Sequence, residues 1–162
     1  MILALFRLRP RNTARSVKEI FDDLERTFGL ETFRQLFPLI LTDNGNGSEF
    51  SDPKTLETAL NGERRTWILY CDPGVPKQKA GVEGCHKHLY RIIPKGSSME
   101  SLQLGNDALI STHINAFKRR KLNDKSARDV FSFLYGEATT QLLQIKNLSI
   151  EEILLKPNLL KK

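Results

Sequence analysis

The chain has 162 residues, 40% of them hydrophobic, and its 25 Lys and Arg outnumber its 19 Asp and Glu to give a formal net charge of +6. This length and composition can bury a core and fit one compact domain with an extended tail. No apolar run approaches the roughly 18–20 residues that cross a bilayer, and no cleavage signal follows the apolar start, so we predict neither a membrane span nor a secretion signal. Cys71 and Cys85 are too few for a disulfide framework.

The first half of the chain is predicted to alternate strands and helices, as in an α/β protein. Asn12 or Thr13 supplies an N-cap for a helix that reaches about Phe28, and Pro53 opens another helix. In chain order the predicted elements are a strand at residues 1–8, helices at 13–28 and 31–36, a strand ending at residue 43, a helix at 53–60 and a strand at 67–70.

Asp43 ends the apolar run Leu39-Ile40-Leu41-Thr42 and precedes Asn44 and a glycine. A short apolar run bounded by turn residues is typical of a buried strand, so Asp43 would stand at a strand's carboxyl end, where open α/β sheets carry reactive groups. Glu83 would face it from a helix. Two close carboxylates repel each other unless they share a cation, which indicates a divalent metal. The alternative for Asp43 is a residue that caps its own Asn-Gly turn.

The helix that carries Glu83 follows a loop with two prolines and two glycines at residues 72–81, and Pro94 ends it. Helical spacing predicts a buried stripe and an outward stripe. The buried stripe contains Val82, Cys85, Leu89 and Ile92, and the outward stripe contains Glu83, His86, Lys87 and Arg91. Zinc bound by Cys71, Cys85, His86 and His88 is an alternative, although the spacing lacks the paired Cys-x-x-Cys form of structural sites.

After Gly96 the composition becomes helical. Apolar residues recur at helical spacing in residues 107–117 and 126–135, and a short helical piece at 150–153 precedes a basic tail. We therefore predict an α-helical carboxyl-terminal extension over residues 97–162, in which His113 and Asn115 have structural roles.

Three segments occur together in a specific order. They are residues 39–50 with Thr42-Asp43-Asn44-Gly45, residues 78–91 with Gly81-Val82-Glu83, and the exit Ile93-Pro94-Lys95-Gly96-Ser97. They resemble the core of the IS-thirty family of bacterial insertion-sequence transposases. The resemblance continues through residues 113–115 and 119–122 to residues 155–162, so it covers nearly the whole chain.

This resemblance implies a DDE enzyme with a ribonuclease-H-like, retroviral-integrase-like core. The core would be a truncated mixed sheet with flanking helices over residues 1–96, followed by the helical extension. Asp43 would be the second and Glu83 the third catalytic, metal-binding carboxylate, with Asn44 and His86 as active-site support. The first aspartate and the amino-terminal helix-turn-helix region have no counterpart, so Mg²⁺ or Mn²⁺ would bind weakly.

The chain departs from the family pattern beside both carboxylates. Asn46-Gly47 is an extra pair before Ser48-Glu49-Phe50, Ala80 stands where glycine is commoner, and Gly84-Cys85 replaces Lys-Asn. A glycine in the first helical turn weakens a helix by roughly 0.5–1 kcal/mol relative to alanine. These departures are typical of drift in a decaying gene copy.

Basic residues cluster near the glutamate helix and again after residue 117, where they suit contact with DNA phosphates. The candidate DNA-binding residues are Lys79, Lys87, Arg91, Lys95, Lys118, Arg119, Arg120 and Lys121. For a single basic residue the alternative is a solvated surface role. We also expect self-association, or pairing with full-length transposase, because the strand at residues 1–8 would have an open edge.

Two functions follow from these observations. The first is a fragment of a DDE transposase that cuts and joins DNA strands, at transposon ends and target, by two-metal phosphodiester chemistry, with little or no catalysis by the isolated chain. The second is a catalytically inactive DNA-binding or transposase-pairing protein. A product without function is the third alternative. We expect a bacterial cytoplasmic protein associated with the nucleoid and not with a membrane.

Overall fold

The computed structural model describes residues 3–9, 11, 13–42, 48–72, 75–98, 102–103 and 105–160. They form a mixed α/β protein that is mostly helical and has little sheet. The chain divides into two compact units: a terminal unit made of Met1–Leu8 and Ala80–Lys162, and a middle unit made of Arg9–Lys79. This division differs from the predicted boundary between residues 96 and 97, because the helix that carries Glu83 shares a core with later helices.

In the middle unit, helix α1 (Ala14–Phe28) begins at the predicted N-cap. The Thr13 hydroxyl accepts a hydrogen bond from the Ser16 backbone N–H at 3.2 Å, and the Ser16 hydroxyl accepts one from the Thr13 N–H at 3.3 Å. This reciprocal pair is a capping box. Gly29, with φ of 75°, ends α1 in a conformation that favours glycine, and α2 (Leu30–Leu36) follows directly.

Strands β1 (Leu39–Thr42) and β2 (Trp67–Tyr70) form a two-stranded parallel sheet, and both strands were predicted. Helix α3 (Pro53–Glu57) lies in the crossover that a parallel pair requires. It ends before residue 60, where we expected its end, because Thr58 joins a β-bridge to Arg64.

One face of this sheet packs on the helices of the middle unit. Ile40 and Ile68 pack with Val17 of α1 and Leu56 of α3. The opposite face carries exposed apolar side chains, namely Leu39, Leu41, Trp67 and Leu69. The strands are therefore buried on one face only, whereas a parallel strand pair is usually covered on both.

The terminal unit contains helices α4 (Ala80–Ile92), α5 (Asn106–Ala116), α6 (Ala127–Tyr135) and α7 (Glu137–Leu142), and a short antiparallel hairpin of β3 (Lys118–Arg119) and β4 (Lys125–Ser126). Its core brings Cys85 and Ile92 of α4 against Ile110 and Ile114 of α5. The sequence predicted α4, α5 and α6. It did not predict the hairpin or α7.

The predicted strand at residues 1–8 is wrong for the described residues 3–8, which form no strand and lie along α5. The Ala4 N–H donates to Asn115 Oδ1 at 2.8 Å, the Phe6 N–H to Ser111 Oγ at 3.0 Å, and the Leu8 N–H to Asp107 Oδ2 at 3.4 Å. These side chains occupy the donors that a strand edge would offer. The described part of this segment therefore gives no basis for the predicted association through an open edge.

Candidate functional site

The first predicted carboxylate follows the end of β1. Thr42 is the last residue of this strand, and its carbonyl oxygen accepts a hydrogen bond from the Cys71 N–H at 2.8 Å, just after β2 ends. The strand that should precede Asp43 is thus confirmed. Asp43 and Asn44 themselves lie outside the described residues.

The second predicted carboxylate, Glu83, lies in the first turn of α4 and is exposed. The opposite face of α4 is held in the core, because Cys85 and Ile92 are buried there. His86 is exposed beside Tyr90, with their ring centroids 6.1 Å apart. The predicted outward stripe is confirmed, whereas Val82, expected on the buried stripe, is exposed.

Glu83 belongs to the terminal unit, whereas β1, the strand that Asp43 follows in the sequence, belongs to the middle unit. Among the described residues, no group of three or more His, Cys, Asp and Glu side chains could hold a metal ion. That search did not include Asp43. Binding of Mg²⁺ or Mn²⁺ by Asp43 and Glu83 therefore stays a prediction.

The alternative zinc site gains no support from the described side chains. Cys71 and Cys85 are free and buried. Burial raises the pKa of the Cys85 thiol, an effect that the nearby Arg119 guanidinium only partly opposes. Zinc binds the thiolate, so burial disfavours the form that the metal needs.

The candidate DNA-binding residues of α4 and the loop after it are largely solvent-accessible. Lys87, Arg91 and Lys95 are exposed, and the Lys95 ammonium lies 5.1 Å from the Tyr90 ring centroid. Lys79 ends the short 3-10 helix Pro76–Lys79, and its side chain lies outside the described part. The exposed ammonium and guanidinium groups could contact a phosphate backbone.

The four side chains of the basic run Lys118–Lys121 do not form one continuous exposed surface. Lys118, Arg120 and Lys121 are exposed, whereas Arg119 is half-buried and donates from Nη2 to the Ile114 carbonyl at 3.2 Å. Arg119 therefore caps the end of α5 with its guanidinium. The three exposed members make no ion pair with a described residue, so their charges are open to a partner.

Sequence reasoning missed His88 as a neighbour of the basic residues. Burial, together with the positive charges of Arg119 and Arg91, lowers the pKa of His88. Its ring centroid lies 5.5 Å from that of Phe117, at the start of the hairpin. This ring contact places α4 beside the start of the hairpin. The sequence could not predict this neighbourhood of His88, because the two-residue strand β3 is too short to leave a periodic pattern.

The net charge is confined to one unit. The terminal unit has 14 Lys and Arg against 8 Asp and Glu, a balance of +6, whereas the middle unit has 11 of each and a balance of zero. Uneven charge of this kind concentrates the positive potential that attracts a phosphate backbone. The candidate phosphate-contacting side chains described above, those of α4 and of the basic run, all belong to the charged unit.

His113 and Asn115, predicted to be structural, are buried in α5. The Nδ1 atom of His113 accepts a hydrogen bond from the Leu154 N–H at 3.1 Å, and burial lowers the pKa of this histidine. The Asn115 amide binds both polar backbone atoms of Ala4. Both side chains therefore hold distant segments of the terminal unit together.

Comparisons of the chain with protein-family models, with curated proteins and with solved structures found no match. The resemblance to the IS-thirty transposases rests on the sequence motifs alone and stays a prediction. Within the described ranges, no helix is long and apolar enough to cross a bilayer.

Proposed function

We propose that the chain carries part of the catalytic core of a DDE transposase with a ribonuclease-H-like fold. One observation carries the proposal: Asp43 directly follows the end of β1, which is paired in parallel with β2, and α4, the first α-helix after β2, presents Glu83 as an exposed residue of its first turn. Acidic residues after parallel strands and at the start of a helix suit a metal-dependent α/β enzyme. Their order along the chain matches the motifs of the resemblance.

In such a core, acidic side chains hold two divalent ions roughly 3.5–4 Å apart, and the ions activate the attacking oxygen and stabilise the leaving oxygen. Asp43 and Glu83 would supply two of the three carboxylates. Exposed basic residues of the terminal unit would hold the DNA backbone. With Asp43 and Glu83 as its metal ligands, this chain alone should bind Mn²⁺ weakly and cleave DNA strands only slightly.

Calorimetric titration with Mn²⁺ tests the metal site. We expect Asp43→Asn and Glu83→Gln each to weaken Mn²⁺ binding by at least about tenfold, because each removes an anionic ligand. The matched control is Glu151→Gln, which removes an exposed glutamate elsewhere in the terminal unit. Equal Mn²⁺ affinity in wild type and all three variants would contradict the proposed site.

The charge distribution favours a second function, DNA binding without catalysis. The terminal unit holds the whole net charge, and Lys118, Arg120 and Lys121 are exposed without ion pairs to described residues. Phosphate binding of this electrostatic kind needs no metal.

Two assays on the same protein separate the two functions. In the presence of EDTA, fluorescence anisotropy should show equal binding of a labelled DNA duplex by wild type and Glu83→Gln. Nicking of a supercoiled plasmid in Mn²⁺ then decides between them. Nicking by wild type that Glu83→Gln abolishes supports the transposase core, and binding without nicking supports the non-catalytic function. A wild type that neither binds nor nicks DNA would overturn both.

A further inference from the structure

A cavity of about 560 Å³ opens on the surface of the terminal unit beside α6. We call it the α6 hollow. It is lined by Leu122, Asn123, Lys125, Asp129, Val130 and Phe133. None of these residues belongs to the predicted carboxylate pair or to the basic run.

Phe133 forms an unusually exposed wall of the hollow. Its side chain is 88% exposed, and its neighbour Leu134 is 52% exposed. Ala127 and Phe131 are the apolar residues that α6 buries. Phe133 and Leu134 point outward and are not needed to pack the helix. An aromatic ring left in water beside an apolar hollow is typical of an interaction surface.

The hollow is built on fixed elements. Asn123 and Asp124 both have positive φ, 53° and 55°, in the tight turn that joins β3 to β4. The Ser126 hydroxyl accepts a hydrogen bond from the Asp129 N–H at 3.0 Å and caps α6 directly after that turn. Leu122 lies just before that turn and Val130 lies at the start of α6, and both line the hollow. We call these two apolar side chains the apolar floor of the hollow.

Two opposite charges complete the hollow. Lys125 and Asp129 are both exposed on its lining, and neither forms an ion pair with a described residue. A nucleic acid would be repelled by Asp129 and would gain little from the apolar floor. A partner that fits must offer an apolar side chain, one positive charge and one negative charge. The α6 hollow itself offers this set.

We propose that two copies of this chain pair through their α6 hollows in a two-fold symmetric dimer. In such a contact each patch meets its own equivalent, so Phe133 of each copy enters the hollow of the other, against Leu122 and Val130. Lys125 of each copy then faces Asp129 of the other. The pairing goes beyond the proposed function, because it involves neither metal nor DNA. Its test therefore succeeds or fails independently of the DNA assays.

Sedimentation equilibrium over a concentration series tests the dimer. Wild type should show a monomer–dimer equilibrium, and Phe133→Asp should weaken it by at least about tenfold, as loss of an aromatic anchor does. Ile150→Asp is the matched control, because Ile150 is also an exposed apolar residue, 66% exposed, and lies outside the hollow. It should leave the equilibrium unchanged. Circular dichroism checks that both variants keep their helices.

Charge reversal gives a second test that does not depend on the apolar residues. Lys125→Asp and Asp129→Lys should each weaken the dimer, since each places like charges across the two-fold axis, and the double variant should restore it. A wild type that stays monomeric at the highest concentration reached overturns the proposal. So does a dimer that Phe133→Asp and both single reversals leave intact.

Discussion

Arg65 is a charged residue held inside the middle unit. Its guanidinium donates to Asp22 at 2.6 Å and to Glu25 at 3.1 Å, and its Nε donates to the Leu56 carbonyl at 2.8 Å. Burial raises the pKa of Asp22, but hydrogen bonds from Lys18 and Arg65 outweigh it and hold that pKa below its ordinary value. Ionised Asp22 therefore stabilises the fold above its unfolded-state pKa, and this stability is lost as the pH falls through the lower folded-state pKa.

We expect Arg65→Met to destabilise the middle unit by about 3–5 kcal/mol, because it leaves buried Glu25 without its cation and Asp22 with Lys18 alone. Arg26→Met breaks only the exposed ion pair with Asp23 and should cost about 1 kcal/mol or less. Urea unfolding followed by the fluorescence of Trp67, the one tryptophan of the chain, measures both effects. A similar stability loss in the two variants would show that Arg65 is not needed to neutralise the buried carboxylates.

At the scale of elements, residues 3–8 bind α5 because the repeats of the two elements match. Two residues of an extended chain advance about 6.6–6.8 Å, and four residues of an α-helix advance about 6 Å. Alternate extended residues can therefore meet successive helical turns, in the pairs Ala4 with Asn115, Phe6 with Ser111 and Leu8 with Asp107. The donor–acceptor distance rises from 2.8 to 3.0 to 3.4 Å along this series.

The increasing hydrogen-bond distances predict an order in which these amide protons are protected from exchange. In hydrogen exchange followed by NMR, we expect the Ala4 amide to exchange more slowly than Phe6, and Phe6 more slowly than Leu8. Asn115→Ala should remove the protection of Ala4 and destabilise the terminal unit by about 1–3 kcal/mol, since it leaves buried backbone groups unpaired. The control is Asn147→Ala, at an exposed asparagine of the same unit. Unchanged protection of Ala4 in Asn115→Ala would contradict the pairing.

The elements that the sequence predicted carry their signals locally. Thr13 caps α1, Ser126 caps α6, and a short apolar run forms β2. Residues 3–8 are an apolar run of the same appearance, but their hydrogen-bond partners lie 99 to 111 residues away along the chain. An apolar run predicts extended backbone. It does not predict whether a neighbouring strand or a helix will accept the hydrogen bonds of its backbone N–H groups. Strands β3 and β4, with two residues each, are too short for any periodic signal.

The candidate site was predictable where helical spacing decides exposure. The stripe on α4 correctly placed Glu83, His86 and Lys87 on the exposed side. The inward turn of Arg119 was not predictable, because it depends on a carbonyl at the end of α5. The confinement of the net charge to one unit was not predictable either. Residues 3–8 belong to the terminal unit, although the whole middle unit separates them from it along the sequence. The composition alone gives only the net charge of the whole chain.

At the scale of the whole molecule, the charge asymmetry predicts where DNA affinity resides. Removal of Lys118, Arg120 and Lys121 together by alanine substitution should weaken binding of a DNA duplex steeply, because these exposed cations belong to the unit with all the net charge. Each phosphate contact contributes a slope of about 0.9 to the fall of log affinity with log salt concentration. The triple variant should therefore lower that slope by up to about 2.7.

The control variant removes three exposed basic residues of the neutral middle unit, Arg11, Lys54 and Lys77. It changes the total charge of the chain by the same amount, so a response to total charge alone would weaken both variants equally. We expect the control to keep nearly the wild-type slope, because its cations lie among equal numbers of carboxylates. Fluorescence anisotropy across a salt series measures all three slopes, and equal loss in the two triple variants would contradict a binding surface confined to the terminal unit.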